Sequence, residues 1–248
     1  MSLNSPILSR RSAEIAARFG ARAESYEAHA GLQAAVAQKL AAHLPDLSAP
    51  TVLELGCGTG LLSRHLLARY RGGRFVLTDV SSAMIAECRR NLADINRPRV
   101  RFEVMDAGYP GGGDFDLIVT SMTLHWLPDP VASLERLRTL LSPKGVLMFA
   151  SLGPDSFAEW RTVLDSEGLP SGIPHLPAMP GVIEKEYLTP DKDSLSFLRR
   201  IKAIGGLTPQ EGYRALPPGA LRRAIRATNL RFGGRVTWHI VYGRLERA

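Results

Sequence analysis

At 248 residues, with 45% hydrophobic and 22% charged side chains, the chain is long enough to bury one sizeable α/β core, and its composition excludes a fibrous or disordered polymer. No apolar run approaches the roughly 18 residues of a membrane-spanning helix, so no membrane partner is expected. The formal charge is +7, yet no RNP, zinc-ligand or helix-turn-helix pattern accompanies it. Nucleic acid is therefore disfavoured, no metal site is indicated, and the basic balance fits either a plain soluble basic surface or steering toward an acidic partner.

The opening segment MSLNSPILSRRS lacks the apolar core of a signal peptide. With two cysteines, Cys57 and Cys88, a disulfide framework is not expected and a reducing cytoplasm is. Residues 12–45 read as helical. Within them, RFGARAESYEAHAGLQ sets Phe19, Ala23, Tyr26, Ala30 and Gln33 at i, i+4, i+7, i+11 and i+14, one face of a helix. An ordinary packing face would carry Leu, Ile or Val; this one carries a hydroxyl, an amide and small residues. Pro45 to Pro50 is a turn-rich linker.

Strand–helix alternation follows. TVLEL reads as a strand, TGLLSRHLLARY as a helix, RFVLTD as a strand and SSAMIAECRRNLADI as a helix. VRFEVMD and FDLIVTS read as strands, PVASLERLRTLL as a helix and GVLMFASL as a strand. Such spacing predicts a doubly wound, mostly parallel sheet with helices on both faces, and ligands at the carboxyl ends of its strands. From Gly168 to Pro190 the pattern weakens, and GLPSGIPHLPAMPG reads as a loop. SLSFLRRIKAI and GALRRAIRATNL read as helices, and GRVTWHIVYGRLE as a terminal strand. Three segments result: 1–45, a central ligand-binding core over 46–166, and C-terminal helices with a closing strand of the same domain over 167–248.

The stretch VLELGCGTG joins the first strand to its helix. Gly56, Gly58 and Gly60 permit a tight turn and close backbone approach to a ligand at the helix N-terminus. Glu54 precedes them; its carboxylate would repel a pyrophosphate but suits a cationic amino-acid end or ordered water, which disfavours a dinucleotide. Asp79 ends the second strand, where an acid accepts ribose hydroxyls; capping of the following helix is an alternative role. Asp106, followed by Ala107, ends the third strand, where a carboxylate can receive the exocyclic amine of an adenine or simply shape the loop. Met84 either lines the adenine pocket or serves as core.

Glycine loop, second-strand acid and third-strand acid in this order resemble a class I S-adenosylmethionine-dependent methyltransferase, with its Rossmann-like fold, over Thr51 to Leu152. The fourth strand ends TSMTLHWLPDP, without the Asn/Asp-Pro-Pro-aromatic stretch of enzymes acting on base amino groups. TLHWLPD resembles a group acting on small acids and quinones. RFGARAESYEAHAGLQ, GPDSFAEWR, LRRIKAIGG and TWHIVYG are similar to segments of the malonyl-[acyl-carrier-protein] O-methyltransferases of biotin synthesis. One departure stands out: the Pro-rich 168–181 segment looks compressed where such enzymes often have another helix.

The resemblance implies S-adenosylmethionine as cofactor and methyl esterification of the free carboxylate of a malonyl thioester, carried on acidic acyl carrier protein or on coenzyme A. A carboxylate is already ionised at neutral pH, so no general base is required. Residues 1–45 become an expected helical lid, with Tyr26 aimed at the sulfonium or the substrate carboxylate. Arg161 is the expected bidentate grip on that carboxylate, with a solvated helix Arg as its plain alternative. His125 either bonds near the methyl group or packs beside Trp126. Other readings of the same residues are methylation of another small acid of the trans-aconitate kind, or a non-catalytic cofactor-binding assembly factor.

Overall fold

The computed structural model describes residues 9–94, 99–174, 176–204 and 213–247; most of the segment read for a signal sequence lies outside them. In chain order the elements begin with helix α1 (Arg10–Gly20), a 3-10 turn (Ala23–Ser25) and α2 (Gly31–Ala42). Alternation follows as β1 (Thr51–Leu55), α3 (Ser63–Arg69), β2 (Arg74–Asp79), α4 (Ser82–Asn91), β3 (Val100–Val104), β4 (Phe115–Ser121), α5 (Pro130–Arg138) and β5 (Leu141–Leu152). The chain ends with α6 (Ala158–Ser166), β6 (Val182–Leu188), α7 (Ser194–Ala203), α8 (Pro218–Phe232) and β7 (Trp238–Glu246). Local chemistry sets several boundaries. Ser81 and Asp129 cap α4 and α5 by accepting the Met84 and Ala132 amides, and Pro130 occupies the first turn of α5, where its missing N–H costs nothing.

Among the described residues, seven strands form one sheet in the order β3-β2-β1-β4-β5-β7-β6. The first five run parallel, while β7 pairs antiparallel with both β5 and β6. Successive side chains feed two cores. Val52, Leu117, Val119, Met148 and Ala150 join α2, α3 and α4 on one face. Leu53, Leu55, Ile118, Leu147 and Phe149 join α5 on the other. This period-two division, with both faces buried, is why the strands read as continuous apolar runs.

The structure corrects three expectations. The stretch from Arg18 to Gln33 is not one helix: α1 ends at Gly20 and α2 begins at Gly31. Gly20 lies so close to the start of α4 that a β-carbon there would sit 3.0 Å from Ser81 Oγ. Glu27 is held by donors on α3, α4 and the glycine loop. Glycine at both break points lowers the helical propensity of the stretch, and these contacts fix the path the chain takes between the two helices. Second, β6 falls in the region read as patternless. Its inward face is ionic: Glu184 meets Lys39 at 2.7 Å and His43 at 2.8 Å, and Glu186 meets Lys39 at 3.2 Å and the Tyr242 hydroxyl at 3.0 Å. Charged residues protect a sheet edge but erase the hydrophobic alternation that reveals a strand. Third, the terminal strand β7 does not close the sheet; β6 covers its outer side.

Candidate active site

A cavity of about 1000 Å³ opens at the carboxyl ends of β1 to β4, where an open parallel sheet binds its ligands. Glu54, Gly56, Gly58, Asp79, Met84, Asp106, Ala107, Tyr26 and His125 all line it. Gly60 and Arg161 do not.

The loop after β1 is built on left-handed backbone. Gly56, Gly58 and Gly60 have φ of +68°, +54° and +96°, a region glycine enters without steric cost. The three have different neighbours. A β-carbon on Gly56 would overlap the Thr123 side chain, and one on Gly60 would lie 3.2 Å from Cys88 Sγ, facing α4. A β-carbon on Gly58 would meet nothing within 4 Å. Gly58 is thus where a ligand can approach the backbone, and Gly60 lets the loop pack on the helix behind it.

Three acids surround this loop. Asp79 accepts the Gly58 amide at 3.0 Å and the Ser81 amide at 2.9 Å, tying β2 to the loop. Burial raises its pKa to about 6, against the lowering effect of backbone N–H groups from Ser81, Gly58 and Val80. Glu54 is 2% exposed and accepts the Ser63 hydroxyl at 2.6 Å. Burial raises its pKa to about 8; the Ser63 bond opposes the rise and the charge of Asp79 adds to it. Asp106 accepts the Gly108 amide at 2.9 Å, the loop-shaping role, and also the Ser12 hydroxyl from α1 at 2.5 Å. Met84 is buried to 1% and lines the same wall.

The N-terminal segment contributes to the cavity wall despite its break. Ser12, Ile15, Phe19, Tyr26 and Gln33 all line it. The Phe19 ring meets Trp126 edge-on at 5.3 Å and Tyr26 at 6.3 Å. Burial and the charge of Asp79 raise the Tyr26 pKa, so its hydroxyl stays protonated. His125 packs 5.2 Å from Trp126. Its buried Nδ1 has no partner, and burial lowers its pKa to about 3, leaving it neutral at neutral pH.

Arg161 departs from expectation. Its guanidinium donates to the carbonyls of Pro154, at 3.3 Å, and Ser156. It braces the chain between β5 and α6 instead of facing the cavity. Among the described residues, the cations that line the cavity are Arg11, Arg18, Arg136 and Lys202. Sequence reasoning also missed Met122 and Phe157, two cavity-lining residues with φ of +56° and +62°. Non-glycine residues on such backbone are strained and cluster at functional sites; nothing in their identity signals it. Among the described residues, no group of three or more His, Cys, Asp or Glu is placed to hold a metal ion.

Comparisons with known proteins bear on the family and the fold. Residues 53–147 match a family described as a methyltransferase domain. The malonyl-[acyl-carrier protein] O-methyltransferase of Magnetococcus marinus is 36% identical over 255 residues, covering 96% of this chain and 94% of that protein. The biotin biosynthesis bifunctional protein BioCD of Bordetella avium is 36% identical over 256 residues, covering 98% of this chain and 54% of that one. Among solved structures, phosphoethanolamine N-methyltransferase 2 of Haemonchus contortus, in complex with S-adenosyl-L-methionine, superposes with a TM-score of 0.57 at 14% identity. It covers 98% of this chain and 61% of that one, a likeness in fold.

Proposed function

This chain belongs to the malonyl-[acyl-carrier protein] O-methyltransferase family, and on that premise we propose how its cavity carries out the reaction. It is an S-adenosylmethionine-dependent carboxyl O-methyltransferase that forms a methyl ester on the free carboxylate of a malonyl thioester in biotin synthesis.

The observation that carries the assignment of the cofactor wall is the pair of buried acids beside an open glycine. Glu54 and Asp79 have no basic side chain as partner among the described residues, and burial raises both pKa values. A ligand with a cationic amino-acid end relieves that cost, and the bare backbone of Gly58 admits it. Asp79 is suited to ribose hydroxyls, Asp106 with the neighbouring Ala107 to an adenine edge, and Met84 to the adenine face. When bound, the cofactor supplies a methyl group on a positively charged sulfonium.

The remaining groups orient and enclose. The substrate carboxylate arrives ionised and needs no base. The protonated Tyr26 hydroxyl donates a hydrogen bond that aims one carboxylate oxygen, and neutral His125 offers a second polar contact without trapping the charge. Phe19, Trp126 and the Tyr26 ring exclude water, so opposite charges meet in a dry, aligned site. Residues 1–45 act as the lid, 46–166 as the cofactor core and 167–248 as the substrate side.

An acidic acyl carrier protein is the carrier we favour. Exposed Arg199 lies on α7 and exposed Arg222 and Arg226 lie on α8, two helices packed together. A basic face of this kind speeds encounter with an acidic partner. We place the reaction in the cytoplasm because Cys57 and Cys88 are both free thiols. No helix among the described residues is long and apolar enough to cross a membrane.

The test is incubation with methyl-labelled cofactor and, separately, malonyl-acyl carrier protein, malonyl-coenzyme A and trans-aconitate. A base-labile methyl ester is expected on the malonyl carriers, together with rescue of a biotin auxotroph lacking this activity. Label on aconitate alone would overturn the assignment.

A further inference from the structure

One carboxylate oxygen outside the cavity collects three donors. Glu27 Oε1 accepts from the Thr59 hydroxyl at 3.0 Å, Arg64 Nη2 at 2.7 Å and Asn91 Nδ2 at 3.2 Å. Every donor also belongs to the glycine loop or grips it. Thr59 is a loop residue, Arg64 Nε donates to the Gly60 carbonyl at 3.3 Å, and Asn91 Nδ2 donates to the Thr59 carbonyl at 3.0 Å. Glu27 therefore sits where the N-terminal segment is keyed to the loop that bounds the cofactor wall.

Its sequence neighbour is Tyr26, which lines the cavity while Glu27 does not. The 3-10 turn and α2 both start without a side-chain cap. The site is also half-exposed: the side chains of Glu27 and Arg64 are 38% and 41% accessible. An ion pair this wet contributes little to global stability. Three bonds converging on one oxygen instead restrict where the residue can stand.

We propose that Glu27 is a positioning residue for methyl transfer: by bonding Thr59, Arg64 and Asn91 it registers Tyr26 against the glycine loop. The ring and hydroxyl of Tyr26 are then held at the cavity in step with the backbone that faces the ligand. The inference rests on the assignment of Tyr26 to the substrate carboxylate made above.

The experiment compares Glu27→Ala, Glu27→Gln, Tyr26→Ala and the double variant Glu27→Ala/Tyr26→Ala. Glu27→Ala is expected to lower kcat on malonyl thioester about tenfold or more, with a Tm change within about 4 °C. Amide hydrogen exchange over residues 21–30 accelerates in the same variant. Glu27→Gln, which keeps an acceptor oxygen for Thr59 and Asn91, recovers part of the rate. Added to Tyr26→Ala, Glu27→Ala changes kcat by less than about twofold, because the two act as a unit. Independent, multiplying losses in the double variant would overturn the proposal, as would unchanged exchange over 21–30 or an unchanged kcat in Glu27→Ala. Hydrogen exchange is read without malonyl substrate. A wild-type protein inactive on malonyl thioesters would thus count against the proposed function, while the exchange comparison still decides whether Glu27 registers the N-terminal segment.

Discussion

On the wall around the glycine loop, the acids come from the ends of neighbouring strands: Glu54 on β1, Asp79 on β2 and Asp106 just after β3. Parallel register sets their spacing, with Leu55 opposite Thr78 and Asp79 opposite Val104. On the facing wall, Tyr26 follows a 3-10 turn, His125 lies in a second 3-10 turn (Leu124–Trp126) after β4, and Trp160 and Phe197 come from α6 and α7. No single sheet register aligns those four. The first wall is built from backbone, so a short motif carries it. The second is built from side chains that meet only after the chain has folded, so each position must be won separately.

The largest expected effect comes from breaking the backbone wall. Gly56→Ala combines left-handed backbone with overlap of Thr123, and should cost about 2–5 kcal/mol of stability along with activity. Gly58→Ala carries the same left-handed strain, at φ of +54°, but its β-carbon meets nothing within 4 Å. It should retain more of its thermal stability while weakening S-adenosylhomocysteine binding about a hundredfold. Melting curves and calorimetry separate the two; normal binding by the Gly58 variant would show that this wall does not face the cofactor. Next, Asp79→Asn removes charge from an acceptor of two backbone amides. A rise in Kd for the same ligand of about 10- to 100-fold is expected, and an unchanged Kd would sever Asp79 from the site.

A pH dependence sharpens the contrast, since His125 is neutral through the working range. Burial raises Glu54 from 4.5 to about 8 and Asp79 from 3.8 to about 6. The folded, ligand-free protein therefore holds more protons than the unfolded chain between each pair of values. Stability from these groups is full below about pH 4 and is lost as pH rises, through about 6 for Asp79 and about 8 for Glu54. Ligand-free Tm should fall between pH 5 and 8, and Glu54→Gln should flatten that slope. Binding of a cationic cofactor should release protons, measured by calorimetry in buffers of different ionisation enthalpy. A Tm rising with pH, equally in both proteins, would contradict this. The smallest effect is expected at Arg161. Replacing it with Ala removes bonds to the Pro154 and Ser156 carbonyls. Tm should drop by about 2–6 °C and kcat should stay within about threefold. A hundredfold loss of kcat at constant Tm would restore Arg161 as the carboxylate grip.

The same divide separates what was legible from what was not. The strand–helix alternation from Thr51 to Leu152 was readable because burial on both faces makes each central strand an apolar run. The edge strand Val182–Leu188 was not, because Lys39, His43 and Tyr242 satisfy its inward carboxylates. Phe19, Tyr26 and Gln33 line the cavity, Ala23 and Ala30 do not, and the path between them is broken and not one continuous helix.

By itself, the sequence determined the parallel core, the glycine loop and the acids at its strand ends. All of these follow from short-range patterns: period-two burial, left-handed turns that only glycine enters freely, and acids a fixed step beyond them. Tertiary structure alone decided that the N-terminal segment breaks at Gly20, that Glu27 keys it to the loop, that Arg161 turns to nearby carbonyls and that His125 is neutral. Each of these outcomes depends on local backbone geometry or on burial among partners brought together by folding, and a hydrogen bond or a desolvated ring exists only once those partners are in place.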